Sequence, residues 1–423
     1  MGAVIQKFGQ IVGNQLPEHP ERARKLLSAA YKLVGLQMRR FPPKHMRPAR
    51  SYIQGVTSPT MAKALSKGGS CACVNVFMPC ELLHAMDITP MIPEGLSCYL
   101  VSTAAEAPFI QAAEEHGVPE SYCSYHKLLL GLAESGVMPA PLCVLNTSLA
   151  CDANQLTFRR LAELYDVPRF TVDVPMADTP ANLAYVADQL RELGGFLEQC
   201  TGRKLDEARL RKAVGYSRQT VLDYRRYLEA RAHSTQTEAL SAEMFALLAL
   251  HTLLGTEESA KYAAMLAEDA EANPGESTGK RLLWMHTLPH WQDSMTQVLS
   301  KSGRCEIVSC DMAYEGLLDM DPDKPYESMA RRLLESGYNG GAERRAKRSV
   351  EMARALRADG VVYFCHWGCK QTSGAAQYTK KTLEAAGFPT LVLDGDGCDS
   401  GNVNDGQMLT RLQAFLEQLE GRT

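Results

Sequence analysis

The chain has 423 residues, 45% of them hydrophobic, and its formal net charge is −4. A chain of this length and composition can bury a large core and commonly forms two or three domains, which excludes a disordered tail or a small disulfide-stabilised scaffold. No stretch approaches the roughly 18 apolar residues of a membrane span, and the first residues lack the apolar segment of a signal peptide. We therefore expect a soluble cytoplasmic protein with no membrane partner.

The sequence contains 13 cysteines, an odd number scattered along the chain. A secreted disulfide framework typically shows an even number at regular spacings, so reduced thiols in the cytosol are the better interpretation. Some of these thiols are expected to pack in the core, and others are candidate metal ligands.

Residues 1–65 have the pattern of a helical N-terminal extension, interrupted by FPPKHMRP, whose prolines cannot continue a helix. The first 50 residues hold ten Lys or Arg and two Asp or Glu, a formal charge of +8, which leaves −12 for the remainder. A basic face docked on an acidic body is the favoured interpretation, and a contact with a partner or a nucleotide phosphate is the alternative. Nothing resembles a nucleic-acid-binding module, so we expect no nucleic-acid partner.

Residues 66–175 alternate short apolar runs with helical patterns, as in APLCVLNTSLACD and PRFTVDVP, which predicts a first α/β domain with parallel strands. Residues 176–275 are almost entirely periodic at about 3.6 residues, which predicts a helical connector. Within NPGESTGKR, Gly279 and Lys280 resemble a phosphate-binding loop, but the stretch is one residue short and no strand leads into it. We interpret it as a linker, so that any ATP chemistry belongs to a separate partner.

Residues 276–423 contain four strand-like segments, RLLWMHTLPHW, CEIVSCDMAY, GVVYFCHWGCK and TLVLDGDGCDS, separated by helical patterns. They predict a second α/β domain. The expected fold class is therefore α/β, with two Rossmann-like or flavodoxin-like parallel-sheet domains, a helical connector and the helical N-terminal extension.

The two α/β halves share an internal similarity. One segment runs from Cys151 through a helix and a Val-Pro pair to a strand and Asp173, and the other runs from Cys369 through a helix and a Phe-Pro pair to a strand and Asp394. Ligand sites in open α/β sheets lie at the carboxyl ends of the strands. We therefore expect Cys151 and Cys369 to face one another across a cleft between the domains.

The segment VVYFCHWGCKQTSG ends an apolar run with Cys365, His366 and Cys369. Structural zinc sites use four tetrahedral ligands, usually from two such pairs, and the sequence has no second pair of this kind, although Cys398 is a possible further ligand. Two buried cysteines without a metal are the simpler interpretation of this spacing.

Three cysteines share another property, because Cys123, Cys151 and Cys369 each stand at the start of a helical pattern. Backbone amides and the helix dipole stabilise a thiolate at that position. Three thiolates from separate segments suit an iron–sulfur cluster held between domains, with one iron left open for an oxygen ligand. Spacing alone does not distinguish such ligands from core cysteines.

Six blocks of the sequence, in this order, resemble the 2-hydroxyacyl-CoA dehydratase family, which also contains the benzoyl-CoA reductase core subunits and the double-cubane-cluster proteins. They are PCELLHAMDITPMIPE, ESYCSYHKLLLG, NTSLACDANQLTFRRLAE, FTVDVP, CHWGCKQTSGAAQ and LDGDGCDSGNVNDGQMLTRLQAFLEQLE. The resemblance covers roughly residues 66–423. It implies two Rossmann-like domains and one 4Fe-4S cluster bound by three cysteines, which match Cys123, Cys151 and Cys369.

The same resemblance implies a lyase that acts on an acyl-CoA substrate. The thioester carbonyl accepts one electron to become a ketyl radical, the neighbouring hydroxyl is expelled, and the electron is later returned. A separate ATP-hydrolysing iron–sulfur activator supplies that electron, and the chain forms a homodimer or a heterodimer with a related subunit. Two alternatives remain: a double-cubane reductase of small unsaturated molecules, with an 8Fe-9S cluster, and a non-catalytic iron–sulfur electron carrier.

Two residues are candidates for catalysis. Glu81 in PCELLHA matches a position where the family keeps a carboxylate near the substrate, so it is a candidate to transfer a proton, although a glutamate that begins a helix is slightly favoured. His366 is a candidate to orient the substrate or to donate a hydrogen bond to a sulfur, and a structural histidine is equally consistent with the sequence. His286 and His290 follow a strand and are expected to border the cleft.

Three further cysteines lie upstream in CACVNVFMPCE, at Cys71, Cys73 and Cys80. In the double-cubane branch of the family, extra cysteines bind a larger iron–sulfur assembly, so these three leave the size of the cluster open. Core packing is their favoured role.

Overall fold

A computed structural model describes residues 3–44, 46–236, 241–289, 291–314, 317–403 and 405–421. Within these ranges, two parallel four-stranded sheets form the centres of the two halves. Their strands are β1 Cys71–Val74, β2 Thr89–Met91, β3 Cys143–Thr147, β4 Arg169–Val172, β5 Lys280–Met285, β6 Cys305–Cys310, β7 Gly360–His366 and β8 Thr390–Gly395. The predicted fold class, with two parallel-sheet units, is confirmed.

The two sheets have the same topology. Their strand orders are β2-β1-β3-β4 and β6-β5-β7-β8, and every neighbouring pair is parallel. Each sheet therefore reverses its direction of growth between its first and third strands, as flavodoxin-like sheets do, and ligands bind at that point. The central strand β7, GVVYFCH, is buried along its whole length, because helices cover both faces of the sheet.

Helices precede, connect and cover the sheets. The N-terminal extension contains α1 Ala3–Gly13, α2 Pro20–Arg40 and α3 Pro48–Ser66. The first sheet is accompanied by α4 Glu81–Ala85, α5 Pro93–Ser102, α6 Ala107–Glu115, α7 Ser124–Glu134 and α8 Asp152–Tyr165. Between the sheets lie α9 Pro180–Thr201, α10 Glu207–Arg231, α11 Ser241–Leu250 and α12 Glu257–Ala272. The second sheet is accompanied by α13 Asp293–Thr296, α14 Asp311–Tyr314, α15 Pro325–Leu334, α16 Ala342–Ala355, α17 Lys370–Ala385 and α18 Asp405–Glu420.

The basic N-terminal extension packs on the helices that lie between the sheets. Arg47 forms an ion pair with Asp269 of the acidic helix α12, with 2.6 Å between Nε and Oδ2. The ammonium group of Lys261, also on α12, lies 4.8 Å from the ring centre of Tyr52 on α3. The ion pair of Arg47 agrees with the interpretation of the extension as a basic face docked on an acidic body, whereas in the second contact the cation belongs to the body.

The NPGESTGKR stretch connects α12 to β5 and precedes a strand, whereas a phosphate-binding loop follows one. The predicted domain limits, residues 1–65, 66–175, 176–275 and 276–423, stay a prediction. None of the helices in the described ranges has the length and apolarity needed to cross a membrane.

Candidate functional site

A cavity of about 130 Å³ lies between the two halves of the molecule, and Cys123, Cys151 and Cys369 all line it. Cys151 follows β3, and Cys369 follows β7, the strand at the equivalent position of the second sheet. The structure thus brings together, at the carboxyl ends of parallel strands, the cysteines that the sequence placed at a cleft.

Each of these three cysteines is the residue that immediately precedes a helix. Cys123 caps α7, Cys151 caps α8 and Cys369 caps α17. The amino-terminal ends of three helices therefore converge on the cavity, and their dipoles favour negative charge on sulfur.

Each of the three sulfur atoms also has a polar neighbour. The Nε2 atom of His366 lies 3.3 Å from Sγ of Cys123, and that of His126 lies 3.7 Å from Sγ of Cys151. The hydroxyl of Thr372 donates to Sγ of Cys369 at 2.9 Å. Hydrogen bonds to sulfur ligands tune the potential of an iron–sulfur centre, so these neighbours suit a redox site.

The hydrogen bonds of His366 determine which ring nitrogen carries the proton. Its Nδ1 accepts from the backbone N–H of Gly397 at 3.1 Å. Burial lowers the pKa of the imidazole, with a smaller opposing effect from Asp396, so the ring is neutral near pH 7. The proton is therefore assigned to Nε2, which donates to Cys123. Of the two roles considered for His366 beyond packing, the geometry favours donation to a sulfur.

The donor chemistry of the three thiols fits an iron–sulfur cluster. Burial, and then the neighbouring Cys151 and Cys369, raise the pKa of the Cys123 thiol well above its ordinary value. Burial raises the pKa of Cys151 to about 12. Thiols held together in this way ionise when a cationic centre compensates their charge, as iron does.

Within the described part of the chain, no three His, Cys, Asp or Glu side chains lie close enough together to bind a single metal ion. Three cysteines that hold a cubane cluster bind three different irons, so they need not converge on one point. The donor set is therefore compatible with a cluster.

The backbone around the cavity adopts unusual conformations. Ala150 and His286, which both line the cavity, have φ angles of 70° and 76°. Such angles are costly for residues with a side chain, and they concentrate at functional sites. Gly368, with φ 79°, lies so close to Cys123 that a Cβ atom would stand 2.7 Å from the Cα of that cysteine. Only glycine permits this close approach of the loop after β7 to the loop that contains Cys123.

Three polar atoms that border the cavity are shielded from solvent and have no hydrogen-bond partner among the described residues. They are Oε2 of Glu94, Oδ1 of Asn154 and Nδ1 of His286. A buried polar atom left in this state costs about 1–3 kcal/mol, and these three atoms are positioned to hydrogen-bond a polar group in the cavity.

Sequence reasoning identified His286 but missed Glu94, Asn154 and His126. Glu94 follows Pro93 in the first turn of α5, where an acidic residue is ordinary, so its sequence context carries no functional signal. Burial raises the pKa of Glu94 to about 7, although the backbone amides of Glu94 and Val76 oppose the shift. His290 lies outside the described residues.

Glu81 is not brought to the cavity. It begins α4, is fully buried, and forms a two-pronged ion pair with Arg332 of α15, with distances of 2.6 and 3.0 Å. Ser217 of α10 donates to the same carboxylate at 2.9 Å. Burial alone would raise the pKa of Glu81, but the charge and hydrogen bonds of Arg332 keep it below its ordinary value. Its predicted role in proton transfer stays a prediction.

The remaining cysteines of interest do not line the cavity either. Cys71 and Cys73 belong to β1, Cys80 precedes α4, and Cys365 lies within β7; all four are buried. Burial raises the pKa of Cys73 well above its ordinary value, and that of Cys365 to about 12. Their positions agree with the favoured role in core packing.

Comparisons with known proteins agree with the family resemblance. The family model described as 2-hydroxyglutaryl-CoA dehydratase, D-component, matches residues 75–419. The (R)-2-hydroxyisocaproyl-CoA dehydratase alpha subunit of Clostridioides difficile is 22% identical, over 85% of this chain and 92% of its own length. The (R)-phenyllactyl-CoA dehydratase alpha subunit of Clostridium sporogenes is 23% identical, over 87% and 95%. A benzoyl-CoA reductase subunit of Thauera aromatica is 22% identical, over 82% and 88%.

Proposed function

The chain belongs to the family described as 2-hydroxyglutaryl-CoA dehydratase, D-component, and from this membership we propose that it is the iron–sulfur subunit of a 2-hydroxyacyl-CoA dehydratase-type lyase. The observation that carries the proposal is the cavity in which three helix-capping cysteines meet, each with a polar neighbour at its sulfur. The similar dehydratase subunits cover most of the chain, which supports the same chemistry here.

Cys123, Cys151 and Cys369 would hold a 4Fe-4S cluster. When bound, such a cluster supplies one-electron chemistry and an open iron that acts as a Lewis acid toward a substrate oxygen. An 8Fe-9S double cubane is less well supported, because Cys71, Cys73 and Cys80 are buried away from the cavity.

The proposed reaction is a radical elimination. The substrate thioester carbonyl takes up one electron to give a ketyl radical, the neighbouring hydroxyl and a proton from the adjoining carbon leave as water, and the electron is returned. The site therefore needs a group that accepts and releases a proton near neutral pH. Glu94, a cavity carboxylate with a pKa of about 7, is suited to this step.

Other residues of the chain hold the site in place. His366 donates to Cys123 and accepts from Gly397, so it fixes one ligand against the loop that follows β8. Tyr125 packs its ring edge-on against His366, with 5.3 Å between the ring centres. Apolar side chains on the cavity wall exclude water, which strengthens every electrostatic interaction inside.

Two partners follow from the proposed chemistry. The electron would come from a separate ATP-hydrolysing iron–sulfur activator, because NPGESTGKR lacks the context of a phosphate-binding loop. A related second subunit is supported by the names of the relatives, which describe them as subunits of larger enzymes. A homodimer is the alternative assembly.

Anaerobic purification with iron and acid-labile sulfide analysis is the first test. About four irons per chain supports a single cubane cluster, about eight supports the double-cubane reductase, and none contradicts both. The reduced protein and its activator are then incubated with a panel of 2-hydroxyacyl-CoA thioesters and of unsaturated acyl-CoA thioesters. Formation of enoyl-CoA identifies the lyase, saturation of an unsaturated thioester identifies a reductase, and electron uptake without turnover identifies an electron carrier.

A further inference from the structure

The wall of the cavity beyond the cysteines is largely apolar. Helix α11 contributes three side chains with helical spacing, and the segments after β1, β5 and β6 contribute the rest. The apolar lining residues are Val76, Phe77, Met244, Leu247, Leu248, Leu288 and Met312. Two thioethers, a phenyl ring and several branched side chains form a surface that suits a hydrocarbon chain.

The position of this wall is fixed by a close contact between two helices. A Cβ atom on Gly95 of α5 would stand 2.9 Å from Cδ2 of Leu248 on α11, so the absence of a side chain at Gly95 leaves the space that the Leu248 side chain fills. Glu94 precedes Gly95 in the same turn, which places its carboxylate at the border of the apolar wall.

The described wall of the cavity carries a carboxylate but no Lys or Arg side chain. Among the described residues that line it there is no Lys or Arg, and Glu94 is the one carboxylate. Arg345 lies nearby, 4.4 Å from the ring centre of the lining residue Tyr338, but it does not line the cavity, and its charge is paired with Asp311, with 2.9 Å from Nε and 2.7 Å from Nη2 to Oδ2. Arg332 is held by Glu81. Among the described residues of the cavity wall, a ligand carboxylate would therefore find no Lys or Arg to pair with.

An acyl chain that ends in a carboxylate would have to bury its charge in this cavity without a counter-ion. Removal of a carboxylate from water is costly unless it is paired, and Glu94 in its ionised form adds repulsion. We propose that the cavity selects thioesters whose acyl chain is apolar and uncharged, and that Glu94 is the residue that rejects acyl chains ending in a carboxylate. This inference rests on the proposed function, because it takes the cavity to be the site of the acyl group.

A matched pair of thioesters tests the selection. Glutaryl-CoA and 5-methylhexanoyl-CoA have the same chain length and differ in that a carboxylate replaces an isopropyl end. Both lack a 2-hydroxyl group, so neither can eliminate water, and the measurement is an affinity. Isothermal titration of the anaerobically purified protein at pH 8 should show 5-methylhexanoyl-CoA bound at least about 100-fold more tightly.

The variant Glu94→Gln tests whether Glu94 is the residue that rejects a carboxylate. It should strengthen the binding of glutaryl-CoA by about tenfold and leave that of 5-methylhexanoyl-CoA within about twofold, because one charge is removed and the shape is kept. Glu120→Gln is the matched control, since it removes the same charge at an exposed position and should change neither affinity.

Each outcome decides one part of the inference. Equal affinities in the wild-type protein, or tighter binding of glutaryl-CoA, overturn the selection and leave an acyl-CoA site intact. Loss of binding of both thioesters by the folded, iron-loaded protein overturns the proposed function and the inference with it. Unchanged glutaryl-CoA binding in Glu94→Gln removes the role of Glu94. The wild-type comparison needs no variant, so it remains decisive if Glu94→Gln fails to fold.

Discussion

The end of β7 and the loop that follows it hold two cysteines in different surroundings. Cys369 caps α17 and lines the cavity, whereas Cys365 is buried within the strand. We predict that Cys369→Ala abolishes the visible absorbance of the cluster and lowers the iron content, because one of three ligands is lost. Cys365→Ala is the matched control and should keep the iron while it lowers stability by about 1 kcal/mol. Loss of iron in both variants would show that the proposed ligand set is too narrow.

Glu94 gives the folded protein a characteristic pH dependence. Its pKa is raised from 4.5 to about 7, so the folded state binds a proton that the unfolded state releases. The contribution to stability is fully present below pH 4.5, and it is lost as the pH rises through 7. Glu94→Gln should therefore be more stable than the wild-type protein at pH 8, by on the order of 3 kcal/mol at most, and similar to it at pH 5.

Urea unfolding of the cluster-free protein at the two pH values measures this difference. Use of the cluster-free protein removes the contribution of bound iron to stability. A stability difference between the two proteins that is the same at pH 5 and pH 8 would mean that Glu94 does not titrate in this range.

At the scale of elements, the strands of the second half were predictable because each is a short apolar run bounded by polar residues. The helix-capping positions of Cys123, Cys151 and Cys369 were predictable because each residue stands at the start of a helical pattern. The short strand β1, CACV, was not singled out as a strand, because four residues carry little periodicity.

The partners of the site residues were beyond local reasoning. The contact of Cys123 with His366 joins residues 243 positions apart, and the ion pair of Glu81 with Arg332 joins residues 251 apart. Only the packing of the two sheets and of α15 determines these pairs. The shielding of the Glu94 carboxylate was equally beyond local reasoning, because elements distant in the sequence form its environment.

Gly368 allows the loop after β7 to pack closely against the loop that contains Cys123. We predict that Gly368→Ala destabilises the protein by at least about 1–2 kcal/mol and weakens iron binding, because its φ of 79° and its contact with Cys123 leave no room for Cβ. A Cβ atom on Gly374, within α17, would meet no other atom within 4 Å, so Gly374→Ala is the control. That change should stabilise the helix by up to about 1 kcal/mol. Thermal unfolding and iron content measure both effects.

At the scale of the whole molecule, the ion pair of Glu81 and Arg332 links α4 of the first half to α15 of the second. We predict that Glu81→Leu alone costs about 3–5 kcal/mol, because it leaves a buried guanidinium without its partner. The double variant Glu81→Leu with Arg332→Met should recover most of this loss, since both charges are removed together.

Turnover by the double variant separates the two roles considered for Glu81. Activity that returns with stability identifies the pair as structural. A stable, iron-loaded double variant without turnover would support the predicted role of Glu81 in proton transfer.

The three candidate ligand cysteines are divided unequally between the two halves. Cys123 and Cys151 come from the first half and Cys369 from the second, with α9 to α12 between them in the chain. A group bound by all three therefore acts as a tether that closes the long loop between the halves. Oxygen that destroys this group would therefore also loosen the contact between the two halves at the cavity, while the ion pair of Glu81 and Arg332 still joins them elsewhere. The lifetime of the protein in air would then depend on how firmly the two halves stay together as well as on the rate at which oxygen attacks the bound group.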